Sequence, residues 1–242
     1  MRLLLLSNST EHGQGYLDHA MPAIRELIGP ARSLAFVPFA LHDHDAYTAK
    51  VQARFAREGV AVTALGADAR EGARVDGAEA VFVGGGNTFR LLDTLQRTGL
   101  LAALRRKARA GAPYLGASAG TNVAAPTIKT TNDMPIVQPA SFAALGLVPF
   151  QINPHYLDAD PASRHMGETR EDRLREFLEE NDAVVVGLRE GAWLRVEGKQ
   201  LRLGGSRGAR LFRRGRDPEE ALPGAVLDAL LKETSGCTSG GP

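Results

Sequence analysis

The sequence predicts an α/β fold built on a mainly parallel sheet with helices on both faces, and three observations carry that expectation. Short, continuously apolar runs recur from Leu3 to Leu231, as strands buried on both faces require. Stretches with apolar residues at helical spacing separate many of them, and Gly, Pro or polar clusters punctuate the junctions.

Taken in order, Leu3–Leu6 is a run of leucines ended by Ser7-Asn8-Ser9, a first strand. Tyr16, Ala20, Ile24 and Ile28 follow near helical spacing until Gly29-Pro30 stops them. A strand over Leu34–Phe39, a helix near Ala46–Arg57 and strands over Val60–Leu65 and Ala78–Val83 continue the pattern, mostly as βαβ winding. Gly84-Gly85-Gly86-Asn87 then joins the last strand to helical spacing over Thr88–Leu95. This turn either needs positive φ alone or brings backbone N–H groups up to a ligand, and its order is not the dinucleotide fingerprint G-x-G-x-x-G. Later strands end at Tyr114-Leu115, after Leu147–Ile152, and over Ala183–Leu188. The ligand site of such a sheet lies beyond the carboxyl ends of its strands.

Composition narrows the function. The 29 basic and 28 acidic side chains nearly balance, so no global field favours nucleic acid or an anionic membrane. Five lysines leave 24 arginines, and their densest spots, Arg105-Arg106 and Arg213-Arg214 with Arg216, lack interleaved aromatics and read as solvated surface. The single cysteine, Cys237, excludes an internal disulfide framework and a multi-cysteine metal site, and fits a reducing cytosol. The four leucines after Met1-Arg2 are too few for a signal-peptide core, and nowhere do eighteen apolar residues run together. A soluble, cytoplasmic chain is expected, with one domain over 1–234 and a flexible tail over 235–242. Asn8-Ser9-Thr10 matches a glycosylation acceptor only by accident on that reading.

Gly116-Ala117-Ser118-Ala119-Gly120 follows the Tyr114-Leu115 strand at once and matches G-x-S-x-G. A serine nucleophile at such a turn is strained and needs small neighbours for strand and helix to pack past it. The turn places the Ala119 N–H where an oxyanion would form, and a second donor is expected from the glycine turn at Gly86. Of the six histidines, His12, His19, His42, His44 and His165 fall in polar loop or helical contexts, whereas His155 follows an apolar run through Asn153-Pro154. It is the candidate base for Ser118. His42-Asp43-His44-Asp45 has no recognisable ligand spacing and reads as a solvated loop. Two carboxylates compete to orient His155. Asp133 sits in a polar loop with a proline stop and suits a turn or cap equally well, while Glu190 ends a strand before Gly191 and is favoured.

Together these residues resemble peptidase E, the α-aspartyl dipeptidase family of serine peptidases. The resemblance rests on LLLLSNST (3–10), VGGGNTF (83–89), GASAG (116–120), PTIKTTNDMPIV (126–137), QINPH (151–155) and GETR (167–170), spread over residues 1 to about 206. It implies a flavodoxin-like or class I glutamine-amidotransferase-like fold, no metal or other cofactor, and cleavage of dipeptides with an N-terminal aspartate (Asp-X). Carried over by position, it implies Ser118 as nucleophile, His155 as base, Asp133 or Glu190 as acid, Gly86 and Ala119 as oxyanion donors, and Arg170 as anchor for the aspartate side chain. A guanidinium grips a carboxylate through two parallel hydrogen bonds and stays charged at working pH. Glu168, Glu171 and Asp172 suit a first helical turn, whereas a cation there opposes the helix dipole, as a residue held for a ligand would. Ala117 departs from a bulkier tryptophan often found there, and the end from Arg213 onward does not match and is expected to be dispensable for chemistry.

The expected partner is a small Asp-X peptide, with a second copy of the chain left open and neither nucleic acid nor membrane expected. Two rivals carry different tests. A cyanophycinase-like hydrolase would act on β-linked Asp-Arg, and a non-enzymatic binding protein would hold aspartate without turnover. A class I glutamine amidotransferase is excluded because its elbow needs cysteine where Ser118 stands.

Overall fold

The structure, a computed structural model, describes residues 1–160, 162 and 166–233. His165, Cys237 and the tail expected over 235–242 lie outside the described residues, as does the expected boundary at 234.

In chain order the elements are β1 (Arg2–Leu6), α1 (Met21–Ile28), β2 (Ser33–Val37), α2 (His44–Ala56), β3 (Ala61–Ala64), α3 (Gly72–Gly77), β4 (Ala80–Val83), α4 (Thr88–Arg97), α5 (Leu100–Arg109), β5 (Pro113–Ala117) and α6 (Ala119–Asn122). They continue with β6 (Gln151–Tyr156), α7 (Arg170–Glu180), β7 (Val185–Arg189), β8 (Ala192–Glu197), β9 (Gln200–Gly205), β10 (Ala209–Phe212) and β11 (Glu219–Ala221). The expected helix from Tyr16 starts later than its spacing suggests. Asp18–Ala20 is a 3₁₀ turn, and Pro22 in the first turn of α1 starts the regular helix.

A seven-stranded sheet runs β3-β2-β4-β5-β1-β8-β9. Its first five strands pair in parallel, whereas β8 joins β1 antiparallel and β9 joins β8 antiparallel. The leucines of β1 split by parity. Leu4 and Leu6 pack with Ile24, Leu27, Val51 and Phe55 under α1 and α2, and Leu3 and Leu5 pack with Leu91, Leu95 and Leu104 under α4 and α5. At 25 cal/mol per Å² of apolar area, each such fully buried leucine stabilises the fold by about 1.5–3 kcal/mol.

A second, four-stranded sheet, β11-β10-β7-β6, departs from the expectation of one mainly parallel sheet. Its inner residues Ile152, Val186 and Leu188 join the core on the α4 and α5 side. The stretch beyond Arg213 is built into this layer: β11 pairs with β10, Leu230 is buried, and Arg213 bonds Glu219 and Glu233. Glu190-Gly191 is the two-residue link that carries the chain from β7 in the small sheet to β8 in the large one. Just past it, Trp193 faces Leu6 across the β1–β8 pair, and Gly204 opposite must be bare because a Cβ would run into the indole.

β1 leads toward α1 on one face and β5 toward α6 on the other, so a crevice opens beyond their carboxyl ends. Ser7 and Ser118 stand at its lip. Among the described residues no helix is long and apolar enough to cross a membrane.

Candidate active site

Ser118 occupies the turn between β5 and α6 with φ 52° and ψ −109°, a conformation that costs a non-glycine residue of order 1–3 kcal/mol and persists only where its surroundings enforce it. They do. Its N–H donates to the Leu6 carbonyl (3.1 Å), its carbonyl accepts from Thr121 and Asn122 N–H (2.9 Å each), and the Thr121 hydroxyl donates to Leu6 (2.6 Å). The flanking glycines have steric reasons. A Cβ on Gly116 would meet the Gly120 carbonyl at 2.6 Å, and one on Gly120 would enter the Val83 carbonyl.

The Gly84–Gly86 turn comes directly against this elbow. A Cβ on Gly85 would lie 2.9 Å from the Ser118 Cβ, and one on Gly86, at φ 134°, would meet the Ala40 carbonyl at 2.6 Å. Tyr47 steadies the turn by accepting from Gly85 N–H (2.9 Å). Among the described residues, neither the Gly86 nor the Ala119 N–H donates a hydrogen bond.

His155 lies within β6, whereas its place behind Asn153-Pro154 suggests a position after the strand. A register shift between Pro154 and Tyr156 leaves His155 without a partner on β7, at φ 54°. Such a bulge re-aims a side chain that regular pleating would send elsewhere. Pro154 is tolerated because β6 is an edge strand. The bulge turns the imidazole to Ser118, with Nε2 2.8 Å from Oγ, and Nδ1 2.5 Å from Glu190 Oε1. The carboxylate on His155 is therefore Glu190 and not the competing Asp133.

Two residues after β1 join the sheets at this point. The Ser7 hydroxyl donates to the Leu188 carbonyl (2.8 Å) and accepts from His155 N–H (2.9 Å), while Asn8 Oδ1 accepts from Gly191 N–H (2.9 Å). Asn8 is 2% exposed, and its Nδ2 donates to the Thr10 carbonyl (2.9 Å). Arg189, paired with Asp158 and Glu220, anchors the end of β7, and hydrogen bonds to these carboxylates raise the proton affinity of its guanidinium above the ordinary range.

Asp133 and Arg170 flank Ser118 on the inner side. With Thr88, Asn122, Thr131 and His155 they line a cavity of about 240 Å³. Asp133 Oδ2 accepts from Thr88 N–H (2.7 Å), the Thr88 hydroxyl (2.6 Å) and the Thr131 hydroxyl (3.2 Å). Arg170 is the first residue of α7, whose capping box is closed by Thr169 and Asp172. Glu168 pairs with Arg173, and Glu171 with Arg175 and Arg210, so among the described residues Arg170 has no ion pair. Burial lowers its proton affinity, Arg173 adds to this, and Asp133 opposes it. His155 also borders a concavity of about 800 Å³ with Glu190, Arg189 and Arg207, and one of about 730 Å³ with Ser118, Gly86, Tyr16, Tyr47 and Lys50.

Residues 3–204 match Peptidase family S51. This chain belongs to that family.

The S51 chain is 62% identical over 231 residues to Peptidase E of Streptomyces coelicolor, covering 96% of this chain and 95% of that protein. It is 48% identical over 234 residues to the probable alpha-aspartyl dipeptidase of Drosophila melanogaster, covering 96% and 98%. Among solved structures it resembles a putative peptidase E from Listeria monocytogenes EGD-e (TM-score 0.65, 22% identity, 84% of this chain and 98% of that one). It also resembles a peptidase from an acI-B1 Actinobacterium (TM-score 0.72, 18% identity, 93% and 96%), and at these identities both show the α/β fold alone.

Within this S51 chain, Ser118, His155, Glu190, Gly86, Ala119, Asp133 and Arg170 all border one region. Ala117 does not. It is buried with Leu6, Phe36 and Tyr47 and lines none of the three concavities. The His42–Asp45 run starts α2, where Asp43 caps the helix by accepting from Ala46 N–H (2.9 Å). Among the described residues no group of three or more His, Cys, Asp or Glu is placed to hold a metal ion. Ser7, Asn8, Tyr47, Thr88 and Asn132 are not among the site residues expected from the sequence. The polar run directly after β1 was the available signal for the first two.

Proposed function

We propose that this chain is a serine dipeptidase that removes an N-terminal aspartate from Asp-X dipeptides through an acyl-enzyme. The observation that carries the reading is the continuous relay Ser118 Oγ, His155, Glu190, with contacts of 2.8 and 2.5 Å, in a family of peptidases.

His155 Nε2 takes the Ser118 proton as Oγ attacks the peptide carbonyl. Glu190 holds the Nδ1 tautomer and offsets the imidazolium charge. The Gly86 and Ala119 N–H groups receive the oxyanion, one such donor typically being worth about 3 kcal/mol of transition-state stabilisation. The imidazolium then protonates the leaving amine, which departs with the second residue toward the concavity lined by Tyr16, Leu41, Tyr47 and Lys50. Water, activated by the same imidazole, releases aspartate. Arg170 fixes the substrate by its side-chain carboxylate, and a half-buried cation left unpaired penalises substrates that lack one.

Purified protein offered Asp-X, Glu-X and Asn-X dipeptides tests this directly. Turnover of Asp-X and rejection of Asn-X are expected, and a Ser118→Ala protein that still hydrolysed Asp-X would remove the nucleophile assignment.

A further inference from the structure

We infer that Asp133 is the receptor for the α-ammonium group of the substrate, so that the site reads an N-terminal aspartate through two opposite charges, Arg170 for the side chain and Asp133 for the amino terminus. The inference rests on the dipeptidase reading above and supplies what that reading lacks, a reason for the terminal position of the aspartate.

The Asp133 carboxylate is held by one oxygen and offered by the other. Oδ2 takes three hydrogen bonds, from Thr88 N–H, Thr88 Oγ1 and Thr131 Oγ1, at 2.6 to 3.2 Å, while Oδ1 accepts none among the described residues. Thr88 is the first residue of α4 and is 1% exposed, so one end of the clamp is rigid. The loop carrying Asp133 is tied to the strand carrying His155. Asn132 Nδ2 donates to the Pro154 carbonyl (2.7 Å), and Asn153 Nδ2 donates to Asn132 Oδ1 (2.8 Å). A carboxylate fixed in this way is a preorganised acceptor for a cation.

The position suits an ammonium. Asp133 lines the same 240 Å³ cavity as Ser118 and Arg170 and also faces the larger concavity that holds Gly86. In an N-terminal aspartate the ammonium and the β-carboxylate branch from the carbon next to the scissile carbonyl. A carbonyl on Ser118 therefore presents one charge of each sign nearby, and the wall supplies Asp133 and Arg170 in answer. A role in orienting His155 is already filled, since its ring nitrogens face Glu190 and Ser118. An internal or acylated aspartate brings a neutral amide in place of the ammonium and leaves the Asp133 charge desolvated and unpaired, which penalises cleavage within longer chains.

The test crosses two proteins with two substrates: wild type and Asp133→Asn, each with aspartyl-α-p-nitroanilide and with its des-amino counterpart, the mono-p-nitroanilide of succinic acid. Wild type should favour the amino substrate by about 10²-fold in kcat/KM, the scale of one unpaired charged group. Asp133→Asn should shrink that preference below tenfold, chiefly by raising KM for the amino substrate. Equal wild-type turnover of the two substrates would overturn the inference without any variant. So would an Asp133→Asn protein slowed by the same factor on both. Wild type inert toward both anilides and toward Asp-X dipeptides would instead sink the dipeptidase reading itself.

Discussion

The two sheets contribute different halves of the chemistry and hold them by different means. The large sheet supplies Ser118, Gly86 and Ala119, fixed by strained backbone and by glycines whose Cβ atoms would collide with carbonyls. The small sheet supplies His155, aimed by its own bulge at φ 54° and braced by Ser7, and, on its link, Glu190, with side chains 40% and 61% exposed and positioned largely by side-chain contacts. Backbone-set groups allow almost no substitution. Side-chain-set groups should show graded losses, each traceable to a single polar contact.

The largest effect should come from the large sheet. Ser118→Ala should lower kcat by about 10⁴-fold or more with the thermal midpoint unchanged, because a nucleophile has no substitute. Steady-state kinetics beside a melting curve would check this, and a loss matched by unfolding would blur the contrast. Arg170→Ala should lower kcat/KM on Asp-X by about 10³-fold and erode the Asp-over-Asn preference, the scale of losing a charged anchor. Arg170→Lys should recover only part, since an ammonium cannot form the parallel pair of bonds.

On the small sheet, Glu190→Gln should lower kcat by about 10²-fold with KM little changed, less than for a buried acid because solvent reaches this carboxylate. A loss as large as that of Ser118→Ala would erase the distinction between the halves. Ser7→Ala probes the joint. It leaves the Leu188 carbonyl and His155 N–H without their shared partner and should cost about 1–3 kcal/mol in denaturant unfolding, with roughly a tenfold fall in kcat. Smallest should be Glu220→Gln, where the partly exposed ion pair to Arg189 is worth under about 1 kcal/mol.

The same division explains what the sequence made legible. Leu3–Leu6 and Ala80–Val83 are buried on both faces, so their continuous apolar runs announce parallel strands. The Ser118 elbow is local, and its glycine spacing reports a local steric need. β8 and β9 alternate buried with more exposed residues toward one edge of the large sheet, a weaker pattern, and no strand is expected there or at β10 and β11, whereas the runs that become β6 and β7 read as strands without showing that they form a sheet of their own. The competition between Asp133 and Glu190 turned on a bulge. Whether one unpaired residue in β6 aims the imidazole toward either carboxylate depends on pairing with β7, 34 positions downstream at Gln151↔Val185, which no nearby residue encodes. Ser7 was equally opaque, since its contacts lie at Leu188 and His155.

Trp193 is the only indole in the chain, and it stands three residues beyond Glu190, against the strand that leads into Ser7. Its intrinsic emission is thereby a built-in optical gauge of the seam. An emission shift in Ser7→Ala that precedes loss of far-ultraviolet dichroism would show the two layers parting before either melts, without a dye or a label.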